Sequence, residues 1–129
     1  MWIGIDVLAE DELEGLLGRP WFRAYVYDAG ELALADALGA GRAREFLTGR
    51  FAAKEAALKV IGTGVRAGVT PRQVAVLRDG NGGPVVRLSD AAARHARERG
   101  IGTVRVSIAH KRGLVVAAAI GVPDPAPPP

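Results

Sequence analysis

Two carboxylates and a band of cations carry the side-chain types and spacing that could do chemistry. Asp6 interrupts the apolar run Trp2 to Leu8, and Glu55 is the only acid between Glu45 and Asp79. Glu55 shares the stretch Phe46 to Gly64 with Arg50, Lys54 and Lys59. A buried aspartate needs a partner, a hydrogen-bond network or a metal. If the first strand packs beside the stretch that holds Glu55, the two carboxylates could converge on one hard cation. Two carboxylates with phosphate oxygens and water is the usual Mg²⁺ arrangement, and such an ion neutralises charge that builds up in phosphoryl transfer. A plainer role for Asp6 is to cap the following helix, although no Glu or Gln at position 9 completes a capping box.

The stretch itself reads as one long helix, with good helix formers after Gly49 and Gly62 as its stop. At about 100° per residue, Leu47, Phe51, Leu58 and Ile61 fall within an arc of about 80°, the core face. Lys54 projects into the middle of that arc and Arg50 onto its edge, while Glu55 and Lys59 line a neighbouring stripe. A lysine centred on a core face is costly unless its ammonium reaches water or a fixed anion. Two accounts stay open on these residues: snorkelling cations beside a helical Glu-to-Lys pair worth a few tenths of a kcal/mol, or an anion site. Gly62-Thr63-Gly64 can present backbone N–H groups to an anion, but it follows a helix rather than preceding one and is not a Walker A loop.

The elements that must position these residues follow from pattern. Trp2 to Leu8 is a buried strand. The acidic run Glu10, Asp11, Glu12, Glu14 suits a helix to about Leu17, stopped by Gly18 and Pro20. Trp21 to Tyr27 reads as irregular and mostly buried, and Asp28 caps a helix through about Leu38. The long helix begins near Arg42. Val74 to Leu77 and Pro84 to Leu88 form a hairpin across Asp79-Gly80-Asn81-Gly82-Gly83. Ser89 or Asp90 caps a helix that ends at Gly100. Thr103 to Ala109 alternates as a half-buried strand, His110 to Gly113 turns the chain, and Leu114 to Ile120 is the central strand. The sum is α+β, with helices grouped early and a mostly antiparallel sheet formed late. A single domain over 1–121 is expected, followed by a Pro-rich disordered tail over 122–129.

Composition narrows the classes. The 129 residues suit one domain, and the absence of cysteine removes disulfides, thiolate metal sites and cysteine nucleophiles. The 17 basic against 14 acidic side chains leave a net charge of only +3, weak support for a nucleic-acid partner. The arginines are scattered and lack interleaved aromatic stacking positions, so a small basic nucleic-acid binder is the lesser alternative. With neither a signal core nor a membrane-spanning apolar run, a cytoplasmic protein is expected. Ser107-x-x-His110 gives poor support to a nucleophile and base, because strand parity points the two to opposite faces. His110 beside Lys111 and Arg112 suits an anion contact, and His95 is a surface residue.

Together these pieces resemble the holo-acyl carrier protein synthases, the small trimeric 4'-phosphopantetheinyl transferases. The resemblance is carried by Gly4-Ile5-Asp6, Glu31-Leu32, Phe46-Leu-x-x-Arg50-Phe51-Ala-Ala-Lys54-Glu55-Ala-x-x-Lys59 with Gly62-Thr63-Gly64, Asn81-Gly82 with Pro84, and Ser107-x-x-His110. It implies a homotrimer of that fold which moves the phosphopantetheine arm of coenzyme A onto a serine of an acyl carrier protein, releasing adenosine 3',5'-bisphosphate. It also implies that Asp6 and Glu55 bind Mg²⁺, and that Lys59 contacts the pyrophosphate and stabilises the leaving group. Arg50, Lys54, Gly62, Thr63, Gly64, Pro84, Ser107 and His110 would surround the nucleotide, partly across a subunit boundary. A catalytically weak coenzyme A binding subunit is the alternative on the same fold. Three departures stand out: Gly83 where the family usually has Lys, and Glu12 and Tyr25 where arginines face the acidic carrier. The last two imply a carrier preference shifted toward a less acidic or pathway-dedicated partner, such as that of a polyketide or peptide synthase.

Overall fold

The computed structural model describes residues 2–62 and 68–125. Its elements run β1 (Trp2–Ala9), α1 (Glu14–Leu17), α2 (Pro20–Val26), α3 (Ala29–Asp36), α4 (Ala40–Ile61), a 3-10 turn (Pro71–Gln73), β2 (Val74–Arg78), β3 (Pro84–Leu88), α5 (Asp90–Glu98), β4 (Ile101–Lys111) and β5 (Leu114–Pro123). The expected α+β class and its antiparallel strands packed with one long helix are borne out. The strands form two sheets rather than one: a three-stranded sheet in the order β1-β5-β4 and a separate β2-β3 hairpin. β5 is central, as its apolar sequence indicates.

Helix α4 is the axis of the molecule. Leu47, Ala52, Ala53, Ala56, Ala57, Val60 and Ile61 are all buried at 1% exposure or less, so most of the helix is enclosed rather than one stripe of it. Alanines allow this, because small side chains let the sheet approach the helix closely. At Gly4 the approach is closest: a Cβ there would overlap the carbonyl oxygen of Ala56. A Cβ at Gly121 on the neighbouring strand would lie 2.7 Å from Val60 Cγ1. The high alanine and glycine content is therefore a packing device.

Alternation then sorts the sheet's two faces. On β1, Leu8 and Gly4 are buried toward α4 with Asp6 partly covered between them, while Ile3, Ile5 and Val7 stay 75%, 57% and 55% exposed. Cross-strand partners share a face. The register Ile3↔Ile120, Ile5↔Ala118, Val7↔Val116 on one side of β5 and Arg105↔Ile120, Ser107↔Ala118, Ala109↔Val116 on the other extends this outer face across all three strands. One side of the sheet is thus packed, and the other is apolar and open.

Several local expectations change. Pro20 does not only end a segment; it occupies the first turn of α2, so Trp21 to Val26 are helical instead of irregular. The acidic run makes turns, and only Glu14–Leu17 is α-helical. α4 starts at Ala40, two residues before the expected Arg42, behind Gly39. β4 continues through His110 to Lys111, and the turn is the two-residue pair Arg112 and Gly113, both at positive φ (51° and 78°). β5 runs on to Pro123, with Val122 paired to Thr103, so the tail does not begin at Val122. Positions 126–129 of the expected tail lie outside the described residues.

Two glycines test this packing. Gly4→Ala should lower the unfolding free energy by roughly 1–3 kcal/mol, the usual cost of overpacking. Gly41→Ala, in an exposed helical position with open space around it, should leave stability unchanged or slightly raised. Urea unfolding at fixed protein concentration measures both, and a fully stable Gly4→Ala variant would contradict the close approach.

Candidate active site

Two clusters form on different sides of α4. The first joins the carboxylates to Lys59. Gly4 brings β1 against α4, and Asp6, two residues on, faces the helix. Lys59 Nζ donates to the backbone oxygen of Ile5 at 2.7 Å and to Asp6 Oδ1 at 3.4 Å, and the lysine side chain remains 56% exposed. Burial pushes the Glu55 carboxyl above its ordinary range, the Asp6 charge adds to that, and Lys59 opposes it. Asp6, Glu55 and Lys59 are therefore one electrostatic unit. The alternative role for Asp6 fails, because α1 begins after Leu13 without any side-chain cap.

The donor set fits a hard cation in a particular way. Among the described residues no group of three His, Cys, Asp or Glu could enclose a metal by itself. Asp6 and Glu55 instead supply two carboxylates whose mutual repulsion a divalent ion would relieve, which suits an ion completed by substrate phosphates and water.

The second cluster lines a cavity of about 410 Å³ on the far side of the helix. Arg50, Pro84, Ser107 and His110, four of the residues the resemblance implies for the nucleotide, border it together with Arg42, Glu45, Phe46 and Arg78. Arg50 Nε and Nη2 donate to the carbonyls of Val76 and Leu77, each at 3.0 Å. Its Cζ lies 4.3 Å from the centroid of the Phe46 ring. Ser107 lies on the open face of β4 and His110 on its helix side, as parity requires, yet both border the cavity because β4 is an edge strand. Gly49 makes room there: a Cβ on it would sit 3.0 Å from His110 Nε2.

Lys54 requires a correction. It does not line this cavity; its side chain is 0% exposed and its anion is internal. Nζ lies 2.6 Å from Glu31 Oε1, itself 0% exposed, and also donates to Val74 O at 2.7 Å and Pro71 O at 3.1 Å. Burial pushes Glu31 up and Lys54 down, each opposed by the other's charge. Three acceptors around Nζ use all three protons of an ammonium, so the geometry is that of the ionised pair. Glu31 carries more than this contact: its oxygens also accept from Asp28 N and Val76 N, both at 2.8 Å, closing the cap of α3 and tying β2 to it.

Gly62 ends α4 in the left-handed region at φ 86°, and Arg99 Nη1 donates to the Ile61 carbonyl at 2.9 Å. Thr63 and Gly64 lie outside the described residues. Sequence reasoning passed over Arg78 and Arg42. Arg78 ends β2 opposite Pro84, and its place beside the Asp79 turn was the available signal.

Comparison with known proteins shows the family. The family profile described as the 4'-phosphopantetheinyl transferase superfamily matches residues 3–119. The holo-[acyl-carrier-protein] synthase of Shewanella amazonensis is 36% identical over 118 residues, covering 92% of this chain and 94% of that one. The crystal structure of holo-[acyl-carrier-protein] synthase from Neisseria meningitidis superposes with a TM-score of 0.82 at 28% identity, covering 94% and 97% of the two chains. A holo-(acyl-carrier-protein) synthase from Bacillus anthracis, solved in complex with CoA (3',5'-ADP), gives 0.76 at 31% identity over 93% and 94%. The chain belongs to the 4'-phosphopantetheinyl transferase superfamily.

The buried pair is open to a double-mutant cycle. Lys54→Met and Glu31→Gln should each cost about 3–5 kcal/mol, the range for leaving a buried charge unpartnered. The double variant should lose clearly less than the sum, as coupled partners do. Additive losses in chemical denaturation would mean that the two residues act separately.

Proposed function

We propose that the chain transfers the 4'-phosphopantetheine arm of coenzyme A to a serine of an apo acyl carrier protein and releases adenosine 3',5'-bisphosphate. The observation that carries this reading is the Asp6–Glu55–Lys59 unit: two carboxylates forced together at a partly buried strand–helix contact, with an exposed ammonium beside them. Family membership supplies the reaction class, and relatives crystallised with coenzyme A support its role as co-substrate.

In this reading Asp6 and Glu55 hold Mg²⁺ and Lys59 contacts the pyrophosphate. When bound, the ion supplies neutralisation of charge on the pyrophosphate oxygens. Lys59 stabilises the departing bisphosphate, and its bond to the Ile5 carbonyl fixes where the ammonium points. The attacking hydroxyl belongs to the carrier, so the chain needs no nucleophile of its own. Glu55 is the chain's candidate to take the serine proton; burial and then Asp6 raise its carboxyl in the metal-free site, and a bound ion would lower it again. Arg50, Pro84, Ser107 and His110 receive the nucleotide.

One chain cannot bring both clusters to one coenzyme A molecule. Relative to Glu55, Arg50 and Phe46 are rotated about 140° and 180° round α4, and the two sets are centred about 13 Å apart along its axis. A second copy solves this, and the open apolar face of Ile3, Ile5 and Val7 gives it a surface to cover. We therefore read the protein as a homotrimer with its sites between subunits. We place the reaction in the cytoplasm; no helix among the described residues is long and apolar enough to cross a membrane. Glu12 and Tyr25 are exposed, so the departures from a cationic carrier-docking surface stand in solvent and favour a less acidic or pathway-dedicated carrier.

Mass spectrometry of an apo carrier incubated with the protein, coenzyme A and Mg²⁺ tests this. The mass of the arm should appear on the carrier, faster on a pathway-dedicated carrier than on a fatty-acid carrier. Asp6→Asn and Glu55→Gln should each lower the rate at least about 100-fold, the scale for losing one electrostatic contact in a transition state, and a chelator should stop transfer. No added mass on any carrier, with coenzyme A still bound, would leave only a binding role.

A further inference from the structure

A helix C-terminus is the wrong end for an anion, because its last carbonyls leave it partly negative. Helix α4 nevertheless carries Lys59 in its last turn, the residue read above as the pyrophosphate contact, and Asp6 and Glu55 add two carboxylates beside it. Gly62 N donates back to Leu58 O at 2.9 Å, and the carbonyls after Leu58 have no partner within the helix.

A cation from another element meets the last of them. Arg99 closes α5 as its C-terminal cap, and its Nη1 donates to Ile61 O at 2.9 Å. The side chain crosses directly over Gly62 to get there: a Cβ on Gly62 would overlap Nη1 and lie 2.7 Å from Cζ. Glycine is needed at 62 both for its positive φ and for the passage of this guanidinium. The base of Arg99 is anchored as well. Gly100 O accepts from Asp124 N at 3.1 Å, and Ile101, 3% exposed, starts β4. Arg99 enters none of the ion pairs found among the described residues, so no carboxylate there neutralises it.

A cation at a helix C-terminus offsets the partial negative charge, and the effect is confined to the terminal turn. Lys59 and Ile61 are two residues apart, about 3 Å along the axis, so the turn that Arg99 covers is the one that holds Lys59. We propose that Arg99 is a positioning residue for the anionic part of the substrate: it covers the negative end of α4 so that a pyrophosphate can lie against Lys59. The inference rests on reading Lys59 as the pyrophosphate contact. It gives the chain a second cation that acts on the substrate through the helix rather than by touching it.

Isothermal titration calorimetry of coenzyme A with Mg²⁺ on the full chain tests this, at low salt and at about 0.5 M salt. Arg99→Gln keeps an N–H donor for Ile61 O and removes the charge, whereas Arg99→Lys keeps the charge. At low salt Arg99→Gln should weaken binding at least about threefold, the scale of one charge at a helix end, while Arg99→Lys stays within about twofold of wild type. High salt should bring Arg99→Gln and wild type together, because exposed charges are screened. Equal affinities for wild type and Arg99→Gln at low salt overturn the proposal. So do equal losses in both variants, or a loss that salt does not reduce, either of which would make Arg99 only a tie for the helix end. An Arg99→Gln chain that no longer melts cooperatively by circular dichroism has the same consequence. Lys59→Gln is titrated beside them: unchanged affinity there sinks the pyrophosphate reading and this inference with it, whereas a loss there with none in Arg99→Gln removes Arg99 alone.

Discussion

The buried pair of Lys54 and Glu31 is the interaction on which the other positions depend. Moving two charges out of water costs several kcal/mol each, and their mutual attraction alone does not reliably offset it. Here all three ammonium protons and both carboxylate oxygens are used. The ammonium meets one carboxylate and two carbonyls, and the carboxylate meets the ammonium and two backbone N–H groups. The result is a polar knot that joins α3, α4, β2 and the 3-10 turn. Because it sets β2 against α4, it also sets the carbonyls that hold Arg50 and the rung that carries Arg78 and Pro84. Lys54, expected among the nucleotide contacts, is instead spent on building the wall of the neighbouring cavity.

Close packing does the corresponding work on the other side of the helix. Gly4 lets β1 approach the Ala56 carbonyl, and that approach delivers Asp6 to Glu55 and Lys59. The same strand turns Ile3, Ile5 and Val7 to the outside. One short strand therefore positions the carboxylate unit and presents the apolar face that a second copy would cover. If the site is divided between copies as proposed, assembly and catalysis are coupled: subunits that separate would take their half-sites apart.

Much of this was legible in the residues, and the misses have physical causes. Alternation in Thr103 to Ala109 and the Asp79 to Gly83 turn gave the strands and hairpin, because both signals are local. Lys54 on a core face announced that its ammonium had to reach water or a fixed anion. It could not announce Glu31, which is close in space only once α3 has folded back on α4. Pro20 was taken as a stop because proline ends one helix and starts another equally well. Arg78 was passed over because an arginine at a strand end looks like any solvated edge; only the fold brings it to the cavity beside Phe46. That the two clusters face away from each other follows from the helix angle, yet it has meaning only when both are known to be needed.

Subunit complementation tests the divided site most directly. Lys59→Ala would remove the proposed pyrophosphate contact and His110→Ala the proposed nucleotide side, so each variant alone should be nearly inactive in carrier modification. Dissociated, mixed in equal amounts and reassembled, they should regain activity, with about a quarter of the interfaces carrying two intact halves if mixing is random. A mixture no more active than its parts, in assemblies shown to contain both variants, would contradict a site built between subunits.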